Sequence, residues 1–312
     1  MTKKPVTNLA ASIRGRLLSL SRQRSEPFQS VLTRYINERL LYRLSRHPEA
    51  KQYALKGAML LATWPEQTYR PTLDIDLLGH GDSSVSAVRN LFASVIAIDA
   101  AEDAVSFELA TLRVEPVREH ERYAGLTVRV DARLGTAKVP VQIDIGFGDH
   151  VHPRMYEGDY GLLLPGLPAV RLRMYPKETV VAEKFQVMLD LATANSRVKD
   201  YYDIWVATQY LEFDLIETTI AVRGTLERRG TAIPVGVPEA LSDAYGTIVE
   251  QRGWWSGFLR VRPPTRLPPP FPEILETLRA FFGQLLASID ADPIPAATWM
   301  PGGSRWTSLE RG

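Results

Sequence analysis

Cysteine is missing from all 312 residues. Its absence excludes disulfides, thiolate nucleophiles and cysteine-based zinc sites. No run of about 18 apolar residues occurs, so no transmembrane helix is expected. The opening Met-Thr-Lys-Lys-Pro leads into no apolar run, so no secretory leader is expected and the cytoplasm is the default location. Net charge is only +1 and so points to no class of partner. Internal repeats are also missing. What is present, 45% hydrophobic and 23% charged residues, is ordinary for a soluble globular protein. The length suits two domains, or one with a large helical addition. Charge is unevenly spread: residues 1–56 hold 12 Lys and Arg against 3 acids. Such an excess on helices suits nucleic-acid phosphates, and equally suits a solvated helix surface.

The stretch with the strongest chemical content is Arg70-Pro-Thr-Leu-Asp-Ile-Asp-Leu-Leu-Gly79. Leu73, Ile75 and Leu77 alternate with Thr72, Asp74 and Asp76, which predicts a short strand. Alternation puts Asp74 and Asp76 on one face. Two carboxylates that close repel unless a counter-charge joins them. A divalent cation is the simplest remedy, and Mg²⁺ favours a few carboxylates completed by phosphates and water. An exposed face with two solvated acids is the plain alternative.

Other segments supply possible companions. A helix is expected over residues 8–22, capped by Asn8, and a second from Glu26-Pro27 to His47-Pro48. On the second, Val31 to Leu41 supply the apolar face, leaving Arg34, Arg39, Arg43 and Arg46 to point elsewhere. Tyr53 to Gly57 reads as a strand closing on glycine, with a helix over 58–64. Strand, glycine turn and helix start offer backbone N–H groups to an anion, with Lys56 at the corner. A linker containing Pro65 and Pro71 precedes the acidic strand. His80 has no metal-ligand spacing and reads as a loop residue, followed by a helix from Ser83 or Ser84 to about Ile96.

Residues 104–149 read as a β-meander with strands at 107–114, 126–130 and 139–145. The third strand carries Asp144 between Ile143 and Ile145. An acid among apolar residues is costly to bury unless it is paired or metal-bound. A helix is expected from Lys177, placing Lys184 on roughly the same face. Another begins near Asp200 and contains Asp203. Further helices are expected over 214–230, 237–250 and 271–289. Between the last two, residues 262–270 form a proline-rich connector, and 292–312 read as a poorly ordered tail.

Five motifs in this order carry a family resemblance: Leu55-Lys-Gly-Ala-Met-Leu-Leu, the Arg70–Leu77 run, Val141-Gln-Ile-Asp-Ile-Gly-Phe-Gly-Asp, Lys177-Glu-Thr-Val-Val-Ala-Glu-Lys-Phe, and Ser196-Arg-Val-Lys-Asp-Tyr-Tyr-Asp-Ile-Trp. Together, over about residues 28–215, they resemble the nucleotidyltransferase AbiEii/AbiGii toxin family. The resemblance implies an α+β fold: a polymerase β-like nucleotidyltransferase core with a mixed sheet, N-terminal helices and a helical C-terminal domain. Expected boundaries are 1–48 for the basic helices, 49–175 for the core, 176–290 for the helical domain and 291–312 for the tail. The resemblance also implies a toxin held in check by a winged-helix-type antitoxin, adding nucleotides from an NTP to the 3′ end of tRNA. Carried across, Asp74 and Asp76 are metal-binding acids and Lys56 lies by the triphosphate turn. Lys184 is the phosphate-contacting lysine, and Asp200 and Asp203 are the acids of the last motif. Ala58 departs from the Gly or Ser common after this Lys-Gly, removing one hydroxyl but no backbone donor.

The chemistry fits these residues. Nucleotidyl transfer needs reactants positioned and charge neutralised, and two Mg²⁺ ions suit that role. Asp74, Asp76 and Asp144 are the expected metal site. Gly57 and Ala58 form the phosphate turn, Lys56, Lys177 and Lys184 offset its charge, and Asp200 or Asp203 orients a lysine. Thr72 stands two residues before the acids and could touch bound nucleotide. Two other readings share these motifs: transfer to a protein or small-molecule acceptor, and a catalytically silent binding module.

Overall fold

Asn8 starts the first helix as the sequence requires, accepting a hydrogen bond from the Ala11 amide at 3.0 Å. The computed structural model describes residues 8–64, 70, 72–117, 125–261, 263–264 and 266–308. The Met1–Pro5 opening and the linker residues Pro65 and Pro71 lie outside the described residues. The chain divides into two compact units. One comprises residues 1–60, 72–148 and 157–174, the other 61–71, 149–156 and 175–312. Among the described residues no helix is long and apolar enough to cross a membrane.

The first unit opens with α1 (Leu9–Arg24) and α2 (Phe28–Arg46). Its strands are β1 (Tyr53–Lys56), β2 (Asp74–Gly79), β3 (Val105–Phe107), β4 (Arg113–Pro116), β5 (Gly125–Leu134), β6 (Ala137–Phe147), β7 (Tyr156–Tyr160) and β8 (Val170–Met174). They form one sheet in the order β3-β5-β6-β2-β1-β8-β7, with β4 paired to β5. The sheet is mixed: β2 runs parallel to β6 and β1 to β8, whereas β1–β2 and β5–β6 are antiparallel. Helix α3 (Val85–Ile96) is capped by the Ser84 hydroxyl. Ile75 and Leu77 of β2, Val128 and Val130 of β5, and Ile143 and Ile145 of β6 are buried. The alternating residues of these strands give the sheet a polar second face.

In the second unit the helices are α4 (Lys177–Leu191), α5 (Val198–Tyr210), α6 (Leu215–Arg229), α7 (Asp243–Gln251), α8 (Trp254–Val261) and α9 (Phe271–Ala287). A small antiparallel sheet joins β9 (Phe213–Asp214), β10 (Ala297–Trp299) and β11 (Trp306–Ser308). Its core is aromatic: Phe185 stacks on Phe282 at 3.9 Å, and Phe281 meets Trp299 and Trp306, each at 5.1 Å.

Several expectations are corrected. The strand at 107–114 is broken by a 3-10 turn, Leu109–Thr111, because the Thr111 hydroxyl accepts from the Asp131 amide and donates to the Glu108 carbonyl. Strand β2 begins at Asp74 rather than Thr72, where pairing with Gln142 starts, and Leu73 is 43% exposed. The helix at 58–64 is a 3-10 helix, Gly57–Thr63. The 237–250 helix is a 3-10 turn at Glu239–Leu241, restarted at Asp243 by the Ser242 cap.

Arg39 and Arg43 do not point away from the core. Both are buried, paired with Glu38 and Asp103, so part of the basic excess is internal structure. The expected poorly ordered tail contributes β10 and β11. Trp299 is fully buried, and its indole N–H donates to the Thr208 carbonyl. A buried indole that finds a partner for its N–H brings a large apolar area at little polar cost.

Candidate functional site

Strand register assembles one row of polar residues. Lys56 on β1 pairs with Asp76 on β2, Asp76 with Asp144 on β6, and Asp144 with Thr127 on β5. Directly paired residues project to the same face. Two residues along, Asp74 pairs with Gln142, and Gln142 with Arg129. All three acids therefore lie on the polar face of the first unit's sheet, partly exposed.

Asp144 is oriented by its neighbours. Thr127 Oγ1 donates to Asp144 Oδ1 at 2.8 Å, and Gln142 Nε2 donates to Oδ2 at 2.9 Å. Arg129 donates to the Gln142 side-chain oxygen at 3.3 Å and pairs with Glu115. Beside Asp74 opens a cavity of about 450 Å³, lined among others by Thr33, Leu73, Arg129 and Gln142. That volume is within the usual range of small-molecule sites.

The glycine corner sits directly against the row. Gly57 has φ +69°, and a Cβ placed there would lie 2.0 Å from Asp76 Oδ2. Glycine is thus required twice, for its backbone angle and for the space the carboxylate occupies. Ala58, next in the chain, is buried. A serine hydroxyl at that position would need its own internal partner.

The carboxylates give hard oxygen donors, which suit a divalent cation such as Mg²⁺. Among the described residues no group of three or more His, Cys, Asp or Glu side chains is gathered to hold a metal ion. Asp144 belongs to the row, but its oxygens are engaged by Thr127 and Gln142. Asp74 and Asp76 still fit, because Mg²⁺ commonly takes one or two carboxylates and completes its shell with phosphate and water.

The second unit holds a buried ion network. Lys184 Nζ lies 2.7 Å from both Asp200 Oδ1 and Asp203 Oδ2. Arg70 grips Asp203 with two hydrogen bonds, at 2.5 and 2.7 Å, and Arg197 Nε reaches Asp200 at 3.0 Å. Burial works against the Lys184 ammonium, yet Asp200 and Asp203 hold its pKa above the usual lysine range. Burial likewise opposes ionisation of Asp200, but Lys184 and Arg197 hold that carboxyl well below the usual range. Three cations on two carboxylates keep every charge paired, which is what permits such burial.

The family model described as nucleotidyl transferase AbiEii toxin, type IV TA system, matches residues 39–295. The chain belongs to the AbiEii family. It is accordingly a nucleotidyltransferase, the toxin of a type IV toxin–antitoxin system, with an NTP substrate and an antitoxin partner. Its mixed sheet with flanking helices is consistent with a polymerase β-like fold. No curated protein matches the chain. Two crystal structures from Helicobacter pylori are similar to it, JHP933 and a nucleotidyltransferase candidate. Each is 13% identical at a TM-score of 0.41, covering 74% of this chain and 97% and 95% of theirs respectively.

In this AbiEii chain the structure brings Lys56, Gly57, Asp74, Asp76 and Asp144 to one sheet face, and Lys184, Asp200 and Asp203 to one network. Lys177 has other company, pairing with Glu178 and lying over the Phe213 ring at 5.5 Å. Thr72 precedes β2. Sequence reasoning passed over Arg70, Thr127, Gln142 and Arg197. Arg70 had a signal, since it opens the acidic motif. Thr127 and Gln142 had none before the register was known.

Proposed function

We propose that this AbiEii toxin transfers a nucleoside monophosphate from an NTP to an RNA acceptor, the tRNA 3′ end, in a Mg²⁺-dependent reaction. The observation that carries this reading is the row Lys56–Asp76–Asp144 across three adjacent strands, with Asp74 on the same face. In the reaction an acceptor hydroxyl oxygen bonds to the α-phosphorus and gives up its proton to solvent, while the bond to pyrophosphate breaks and pyrophosphate leaves. Asp74 and Asp76 would hold the metal, with Asp144 beside them in the row, and the metal when bound would supply Lewis-acid stabilisation of the entering and leaving oxygens.

The protein's own groups position and neutralise. The Gly57–Ala58 corner lets backbone approach phosphate closely, and Lys56 brings positive charge to the same row. Thr127 and Gln142 fix the direction in which Asp144 presents its oxygens. Lys184 is the lysine assigned to phosphate charge, held by Asp200 and Asp203, with Lys177 and Thr72 as outer nucleotide contacts. The partner antitoxin is expected to be of winged-helix type.

The test is direct. Purified protein is incubated with labelled NTPs, with or without Mg²⁺, and with total tRNA or protein extract. Label should enter tRNA, require Mg²⁺ and disappear in Asp74→Asn and Asp76→Asn variants that still fold. Label entering protein instead would replace the RNA reading, and undiminished incorporation in either variant would remove the metal assignment.

A further inference from the structure

The second unit contains a cavity of about 300 Å³ between residues 196–199 and α8. One wall is a stripe of α8. Trp254, Phe258 and Val261 are spaced four and three residues apart, so they share a face of the helix. Trp254 and Phe258 are half-buried, and Val261 is 71% exposed. The other wall presents two cations, Arg197 and Lys199.

The cations are not fully spent within the protein. Arg197 binds Asp200 through Nε, and half of its side chain stays exposed. Lys199 is half-buried and makes no hydrogen bond or ion pair with the described residues. Burial, with Arg70, Arg197 and Lys184 nearby, lowers its pKa from the usual lysine value despite the adjacent Asp200. Both residues stand at the start of α5, where the helix dipole favours negative rather than positive charge. The cavity therefore sets an aromatic wall, Trp254 and Phe258, against a cationic one, in which Arg197 shares its charge with Asp200 and Lys199 has no hydrogen-bonded partner among the described residues.

That pairing of surfaces matches one ligand chemistry closely. A nucleobase stacks on aromatic rings, while the attached phosphate takes the cations. A carboxylate-bearing peptide would answer the charge but leave the aromatic wall without a flat partner. The volume, at the small end of ligand sites, admits a single nucleotide rather than a duplex.

We propose that this cleft binds one unpaired nucleotide of the RNA acceptor, with its base against Trp254 and Phe258 and its phosphate between Arg197 and Lys199. The assignment rests on the RNA-acceptor reading above and adds a site to it. It lies within the second unit and uses Trp254, Phe258 and Lys199, none of which has a part in the chemical step.

The experiment uses the full chain with a fluorescein-labelled single-stranded RNA oligonucleotide, the matching duplex, and tRNA with labelled NTP. Wild type should bind the single strand more tightly than the duplex. Trp254→Ala should weaken single-strand binding about tenfold. Lys199→Gln should weaken it and lower the logarithmic salt slope by about 0.7, the loss of one phosphate contact. In both variants KM for RNA should rise while kcat at saturating RNA and KM for NTP stay at wild-type values. Should Trp254→Ala fail to fold, Lys199→Gln carries the test alone. Wild-type affinity and salt slope in Lys199→Gln would overturn the proposal, as would variants that lose antitoxin binding but keep RNA binding. If wild type extends no RNA, the proposed function fails, and oligonucleotide binding still judges the cleft separately.

Discussion

Replacing Gly57 by alanine tests the site through one added methyl group. A non-glycine residue held at φ +69° costs about 1–2 kcal/mol from its own backbone. The new Cβ would also stand 2.0, 2.6 and 2.8 Å from Oδ2, Cγ and Cβ of Asp76. Restoring ordinary contact requires the carboxylate to retreat by roughly 1 Å or more, and displacement on that scale costs about 100-fold in rate. Gly57→Ala should therefore lower Tm by roughly 4–10 °C and cut nucleotide incorporation by about two orders of magnitude. Thermal melting and labelled-NTP incorporation read the two effects. A double-mutant cycle locates their cause. In an Asp76→Ala background the two closest contacts are gone, so the stability cost of Gly57→Ala should shrink towards its backbone part. Wild-type Tm and incorporation in Gly57→Ala, or an equal cost in both backgrounds, would refute the packing of Asp76 against this corner.

Other outcomes follow from the same structure. Thr127→Val removes a donor to Asp144 and should lower kcat about tenfold while stability changes by about 1 kcal/mol, checked by steady-state kinetics and denaturant titration. Lys184→Ala leaves two buried carboxylates short of a partner and should cost about 3–5 kcal/mol in a urea titration. The depressed pKa of Asp200 gives stability that is complete above the ordinary aspartate value of about 3.9 and lost as pH falls below it. The raised pKa of Lys184 gives stability that is complete below about 10.4 and lost as pH climbs past it. Melting against pH should thus show a plateau with two falling limbs, and Asp200→Asn should flatten the acid one. Trp299→Ala should destabilise the second unit by about 3–5 kcal/mol, with near-ultraviolet circular dichroism reporting the loss of packing.

Local pattern made part of this legible. The alternation through Asp74-Ile75-Asp76-Leu77 places both acids on one face without any knowledge of the neighbours, and Asn8 and Ser84 mark helix starts by their side-chain oxygens. What failed depends on distant partners. Leu73 continues the alternation but is exposed, because pairing with β6 starts only at Asp74. The break at Leu109–Thr111 is held by Asp131, some twenty residues away. Arg39 and Arg43 read as surface cations because periodicity reports the apolar stripe and not a buried partner such as Asp103. Trp299 stands in a segment rich in proline and glycine, and only its tertiary contacts make it core. Helix α8 is eight residues long and follows Gly253, too short a run for its period to stand out.

The parallel pairing of β2 with β6 has a kinetic consequence. Residues 76 and 144 are neighbours in the sheet although α3 and the β3–β5 segment separate them along the chain. Long-range parallel contacts are among the slowest to form in folding. Because the facing positions alternate, a slip of a single residue would turn Asp144 towards the oily side of the sheet. A chain folded with that slip would keep Asp74 and Asp76 on the polar face and lose Asp144 from their row.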